Sequence, residues 1–279
     1  MIDSSPSLTV LGSGSTGNSA LVLTASGPFL IDCGLGPRLL SERLQSVGVR
    51  YADLRAVVLT HAHTDHWNKL TLEQLRQWGV PLYIHAGHHP SLCTAPTYEP
   101  LARAGLLREY GDTALNPLLP SVAFRAVRVP HDADPTFALR IQSADGWTLG
   151  WATDLGVAPP TVIDFLRGVD VLGLEFNHDV GMQRSSARPQ FLIDRVLGHH
   201  GHLSNEQACA VLQGLLDDAR AECLAAVVQL HLSQDCNTPV LAASTGAEAI
   251  RRMKSKAKLL TAKPHIPSAS IPLPRRQLA

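Results

Sequence analysis

Four side chains able to bind a metal, His61, His63, Asp65 and His66, fall within six consecutive residues of the stretch Thr60-His61-Ala62-His63-Thr64-Asp65-His66. Imidazole suits zinc and other borderline metals, and a carboxylate among the donors also admits harder ions such as manganese. In an extended segment His61 and His63 point to the same side, whereas Asp65 and His66 come after the chain has begun to turn and can face a second centre. The spacing therefore suits two metals better than one. A polar loop with chance histidines is the plain alternative, and the distant partners described next argue against it.

The elements that must position these residues are strands. Leu54-Arg55-Ala56-Val57-Val58-Leu59 reads as a buried strand, so the four donors emerge at its C-terminal end, where open α/β sheets keep their ligand crevices. Three further runs end in the same way. Val122 to Val129 leads into Pro130-His131-Asp132, Trp147 to Ala152 into Thr153-Asp154, and Ala225 to Leu230 into His231. One His or Asp at a strand end is usually a capping or hydrogen-bonded residue; the repetition is what points to a shared site.

Other motifs are less specific. Gly12-Ser13-Gly14-Ser15-Thr16-Gly17-Asn18-Ser19 separates two strand-like runs, and its bare backbone with Ser13, Ser15 and Asn18 has the make-up of a phosphate-approaching loop or of a flexible hairpin connection. No Gly-Lys-Ser/Thr follows, which excludes a Walker A loop. Asn177-His178-Asp179 follows the strand-like Val169 to Phe176, placing Asn177 and His178 at the ligand-bearing end, where His178 is expected to contact substrate. Ser204 reads as the N-cap of a helix opening near Asn205, with Gln207 completing a capping box. His85, His88, His89, His199 and His200 lie outside the strand-end pattern and read as structural or surface residues.

The order His-x-His-x-Asp-His, then a His, an Asp and a last His at these intervals, resembles the metallo-β-lactamase superfamily. The segments Gly12 to Ser19, Ile31-Asp32-Cys33-Gly34, Glu175 to Asp179 and Gly201-His202-Leu203-Ser204-Asn205 make residues 8 to 245 similar to its YycJ or WalJ branch, whose members are regarded as DNA exonuclease-like hydrolases. The resemblance implies that His61, His63 and His131 hold one metal and Asp65, His66 and His231 the other, with Asp154 bridging. It also implies that His202 lies near the metals, able to protonate a leaving oxygen or hold a phosphate. Two cations ~3.5–4 Å apart share a hydroxide and neutralise charge on the leaving oxygen. No covalent intermediate is needed, so Cys33 reads as a small buried side chain and Asp32 as a brace behind a ligand.

Composition agrees with one catalytic unit. The chain has 279 residues, 45% of them hydrophobic, enough for a single large α/β domain. Strand-like stretches at 8–11, 19–24, 28–32, 55–60, 81–84, 122–129, 136–142, 147–152, 169–175 and 225–230 interleave with helical ones at 37–47, 70–78, 159–167, 189–198, 205–218 and 241–257. Asp145-Gly146 marks a hairpin turn. The expected fold is an αββα sandwich, two mixed β-sheets flanked by helices, over residues 1–250. Five scattered cysteines and no signal-like start or long apolar run point to the cytoplasm. Net charge is zero, but eight of the 24 Lys and Arg residues lie from Arg251 onward with no acid among them. That leaves 16 facing 24 acidic residues, so the body carries −8. Residues 251–279 form a basic tail containing Pro264, Pro267, Pro272 and Pro274, expected to be disordered beyond about Leu260 and either to track a phosphate backbone or to solubilise the chain.

The sequence thus predicts a hydrolase with two divalent metal ions, zinc or manganese before iron. Its expected substrate is a nucleic acid or a small phosphodiester, and the expected activity a DNA exonuclease. Asp65, His202 and His178 are the residues expected to take part in catalysis, Asp65 as a ligand first. A hydrolase of another ester, lactone or thioester is the alternative reading, since a bridging hydroxide attacks carbonyls equally well; a di-iron redox or sensing protein is the third.

Overall fold

The apolar runs of the sequence assemble into two seven-stranded sheets. The computed structural model describes residues 5–133, 135–217 and 223–275. Met1 to Ser4 of the expected start, the last residue of the expected helix 205–218 and Arg276 of the basic tail lie outside these. In chain order the strands of the first sheet are β1 (Ser7–Gly12), β2 (Ser19–Leu23), β3 (Phe29–Ile31), β4 (Ala56–Val58), β5 (Leu82–His85) and β6 (Leu107–Tyr110). Those of the second are β7 (Asn116–Leu119), β8 (Val122–Val129), β9 (Thr136–Ser143), β10 (Thr148–Ala152), β11 (Val171–Glu175), β12 (Ala226–Leu230) and β13 (Lys258–Thr261); β14 (Ile271–Pro272) returns to the first sheet. Spatial order is β14-β1-β2-β3-β4-β5-β6 and β13-β12-β11-β10-β9-β8-β7. Each sheet is antiparallel at one end and parallel at the other: β3 to β6 and β10 to β13 run parallel, the remaining neighbours antiparallel.

Helices cover the two outer faces, because strands buried on both sides need apolar cover on both. The first sheet is followed or interrupted by α1 (Pro37–Ser46), α2 (Lys69–Gln77), α3 (His89–Leu92) and α4 (Tyr98–Arg103); the second by α5 (Pro160–Leu166), α6 (Val180–Ser185), α7 (Gln190–Leu197), α8 (Asn205–Leu216) and α9 (Pro239–Arg252). Leu40, Leu44, Leu72 and Leu75 pack on Leu21, Leu30 and Val57 of the first sheet. Val162, Leu166, Leu212 and Ile250 pack on Leu172, Leu174 and Val227 of the second. Between the sheets, Leu8, Val22, Phe29 and Val58 meet Phe124, Phe137, Leu149 and Trp151. This is the expected αββα order. At the Asp145-Gly146 turn, Gly146 takes a φ of +90° and donates to Ser143 O at 3.0 Å, closing the β9–β10 hairpin.

The C-terminal segment departs from expectation. In place of a disordered stretch beyond Leu260, β13 extends the second sheet alongside β12, and β14 pairs antiparallel with β1 of the first. Local charge and proline content pointed to disorder. The segment is instead held by long-range backbone pairing and by Ala262, Ile271 and Leu273, buried between the sheets. Leu107–Tyr110 and Asn116–Leu119, two strands at the sheet edges, also lacked a readable local pattern.

Candidate metal centre

Every expected donor stands just beyond a strand. His61 to His66 follow β4, His131 follows β8, Asp154 follows β10 and His231 follows β12, so both sheets deliver side chains to one end of the sandwich. Asp32, Asp154 and His231 adopt left-handed backbone, with φ of 60°, 59° and 54°. Such strain at non-glycine residues persists only where surrounding structure enforces it, and it gathers at functional sites.

The donors form overlapping clusters. One atom each from His61, His63 and His131 lie within 4.8 Å of one another, as do atoms of Asp65, His66 and His231, and of His61, His66 and Asp154. Asp154 stands between the two histidine groups. Its Oδ2 is 3.1 Å from His66 Nε2, and its Oδ1 is 3.5 Å from His231 Nε2 and 3.9 Å from His131 Nε2. Asp65 Oδ2 lies 3.2 Å from His231 Nε2.

The ligand rings are aimed from behind. His131 Nδ1 donates to Gly201 O at 2.9 Å, and His66 Nδ1 to Asp32 Oδ2 at 2.8 Å, which turns each Nε2 towards the centre. Asp32 is itself fixed by the backbone N–H of Thr60 (2.8 Å) and by its hydroxyl. The Gly12 to Ser19 loop is part of this frame. Ser13 Oγ accepts from His231 N at 2.8 Å, and Asn18 Nδ2 donates to Asp65 Oδ2 at 3.1 Å and stands 3.0 Å from His66 Nε2. Ser15 is exposed on the same loop. Gly34 allows the close approach this needs, since a Cβ there would fall 1.8 Å from Asp65 O. Asn177 Nδ2 donates to His231 O at 2.8 Å, so it holds a ligand's backbone.

Two residues carry roles that sequence reasoning missed. Glu175, the buried last residue of β11, places Oε1 2.7 Å from His202 Nδ1 and 3.4 Å from His231 Nδ1, while Oε2 accepts from the N–H groups of Leu155 and Leu203, each at 3.1 Å. Its signal was a charged residue ending an otherwise apolar strand. Asp132 Oδ1 lies 3.4 Å from His63 Nε2 and 3.3 Å from His131 Nε2, and its other oxygen accepts from Arg195. Adjacency to His131 was its signal.

The sequence pattern of the beta-lactamase superfamily domain matches residues 28–222. The chain belongs to the metallo-β-lactamase superfamily. The exodeoxyribonuclease WalJ of Streptococcus pneumoniae serotype 2 is 26% identical over 244 residues, covering 85% of each chain. The exodeoxyribonuclease YycJ of Bacillus anthracis is 26% identical over 239 residues, covering 84% of each. Among solved structures, Zn(2+)-bound PqqB from Methylobacterium extorquens shares the fold with a TM-score of 0.66 at 16% identity, over 94% of this chain and 99% of its own.

Within this superfamily frame His202 and His178 part company. His202 is stacked on His231, ring centroids 5.2 Å apart at 15°, and its Nδ1 is held by Glu175. Burial opposes its proton, but the Glu175 charge and hydrogen bond, with Asp154, raise its pKa above the ordinary histidine value. His178 is not where a substrate contact requires. It is fully buried, both ring nitrogens lack hydrogen-bond partners, burial lowers its pKa to about 4, and it belongs to none of the donor clusters among the described residues. The strand-end rule failed there because the chain at His178 turns inward, bridging to Ser204. Ser204 caps α8 through Gln207 N at 3.2 Å, as expected. Cys33 is buried and its thiol pKa is raised well above normal, first by burial and then by Asp32, which suits a packing residue and not a nucleophile.

The donor set fits divalent metal. His61 Nε2 is buried without a partner, the orphan that a cation would satisfy. Burial, with neighbouring imidazoles, lowers the pKa values of His61, His63 and His131, leaving neutral donors. Burial also disfavours the proton on His66 and His231, yet the surrounding carboxylates win: His66 is raised to about 10 and His231 well above normal. A metal must therefore displace protons from this second group. Loading the metal-free chain at neutral pH is expected to release about two protons per molecule, read with an indicator dye in weak buffer, and affinity should rise with pH. Loading without proton release would contradict these assignments.

Proposed function

We propose that this protein hydrolyses phosphodiester bonds of nucleic acid, acting as an exonuclease on DNA. The observation that carries the reading is Asp154, whose oxygens reach His66 and His231 of one histidine cluster and His131 of the other. Its support from relatives is that WalJ and YycJ, similar over more than four-fifths of the chain, are both named exodeoxyribonucleases. His61, His63 and His131 would hold one divalent ion and Asp65, His66 and His231 the other, zinc or manganese, with Asp154 shared. When bound, the ions supply Lewis acidity to a phosphate and lower the pKa of water. Asn18, Asp32 and Asn177 keep the donors oriented. Five cysteines with no disulfide among the described residues suit a reducing cytoplasm. Among the described residues no helix is long and apolar enough to cross a membrane.

His202 supplies the proton. Glu175 fixes its Nδ1 and keeps the ring protonated, leaving the other ring nitrogen to protonate the departing 3′ or 5′ oxygen. Substituting His202→Ala should slow DNA cleavage about 10²- to 10⁴-fold. Loss on bis-p-nitrophenyl phosphate should be smaller, since p-nitrophenolate departs without a proton. Equal losses on both substrates would remove His202 from this role.

The reading itself is tested by incubating metal-reconstituted protein with end-labelled single- and double-stranded DNA and RNA, beside bis-p-nitrophenyl phosphate, simple esters and lactones. Progressive shortening of DNA, absent in Asp65→Ala, is expected. Ester or lactone turnover without phosphodiester cleavage would overturn it.

A further inference from the structure

The crossover joining β13 to β14 takes no part in the centre described above, yet its first residues lie beside it. β13 runs parallel to β12 with Thr261 opposite Gln229, and Ala262 N donates to Gln229 O at 2.9 Å. Lys263 follows Thr261 by two residues, as His231 follows Gln229. Lys263 O accepts from Ser13 N at 3.4 Å, and Ser13 Oγ accepts from His231 N at 2.8 Å, so two hydrogen bonds separate Lys263 from a candidate ligand. A Cβ on Gly14 would lie 3.6 Å from Leu232 O and 3.7 Å from Pro264 Cβ, which shows the loop packed between these two segments. The far end of the crossover is held as well, by Ser268 N donating to Val10 O at 2.8 Å and by the pairing of β14. Lys263 is therefore an exposed cation on an anchored strap and not on a loose tail. Arg251 and Arg252 are committed to Glu248, whereas Lys263 engages no carboxylate among the described residues.

We propose that Lys263 binds the phosphate next to the scissile one, so that the substrate of this centre is a polynucleotide strand and not an isolated phosphodiester. This rests on the phosphodiesterase reading. The body of the chain is net acidic, so a strand entering the centre depends on the cations placed at its lip. An anchored lysine there adds a point charge whose contribution falls as salt rises.

The test uses the full chain. Binding of a labelled single-stranded DNA to chelator-treated protein is followed by anisotropy across a salt series, and KM is measured after metal loading on the same strand and on bis-p-nitrophenyl phosphate. Lys263→Ala is expected to weaken strand binding about fivefold, to reduce the slope of log affinity against log salt by about 0.7, and to raise KM for the strand far more than for the single-phosphate substrate. Lys256→Ala removes an exposed charge just before β13, away from the centre, and should match wild type throughout. Equal slopes and KM values for the two variants would overturn the assignment of Lys263 alone. Wild-type protein that cleaves neither substrate would overturn the phosphodiesterase reading, and this inference with it.

Discussion

Asp154→Ala is expected to abolish DNA cleavage, with kcat/KM reduced by well over a hundredfold. A residue that only braces a ligand costs about ten- to a hundredfold when removed. Asp154 does more, because its two oxygens reach His66 at 3.1 Å in one cluster and His131 at 3.9 Å in the other. Burial works against its charge, yet the surrounding histidines, His231 first and then His66, hold its carboxyl well below the usual range. The ionised form is therefore the favoured one at this position. Kinetics on an end-labelled strand, with circular dichroism to confirm folding, check this. A folded Asp154→Ala protein retaining a tenth of wild-type activity would show that the two clusters do not work as one centre.

Glu175→Gln is the second large effect, and it acts on stability as well as on rate. The carboxylate is fully buried, and burial alone would raise its pKa; His202 and His231 overcome that and lower it to about 2 from the ordinary 4.5. A depressed pKa stabilises the fold above the ordinary carboxylate range, and that stabilisation is lost as pH falls through about 2. Removing the charge should destabilise the metal-free protein by about 3 kcal/mol at neutral pH, within the range for breaking a buried ion pair. The difference between wild type and variant should shrink in acid, as urea denaturation at neutral and acid pH would show. Activity should fall about ten- to a hundredfold, because His202 and His231 lose the group that orients them. A variant with wild-type stability at both pH values would mean that Glu175 does not carry the charge assigned to it.

Much of this centre was legible because a strand ending in a polar residue has a simple local signature. The runs before His61, His131, Asp154 and His231 are mostly apolar, and the sheets bring their ends together. Glu175 escaped because, although it ends β11, its partners, Leu155, Leu203 and His202, are distant in sequence. The left-handed backbone at Asp32, Asp154 and His231 leaves no mark on composition at all. His178 shows the limit of the strand-end rule, which cannot tell a side chain facing the crevice from one folded beneath it. At the C-terminus, prolines and lysines outweighed the few apolar residues in any local window. Burial of Ala262, Ile271 and Leu273 between the sheets depends on β12 and β1, chain segments far away in sequence.

The central claim is a pair of metal sites sharing Asp154, and native mass spectrometry of the reconstituted full chain tests it directly. The arrangement of His61, His63 and His131 beside Asp65, His66 and His231 predicts two divalent ions per molecule. A single ion per molecule at saturating zinc and at saturating manganese would contradict it.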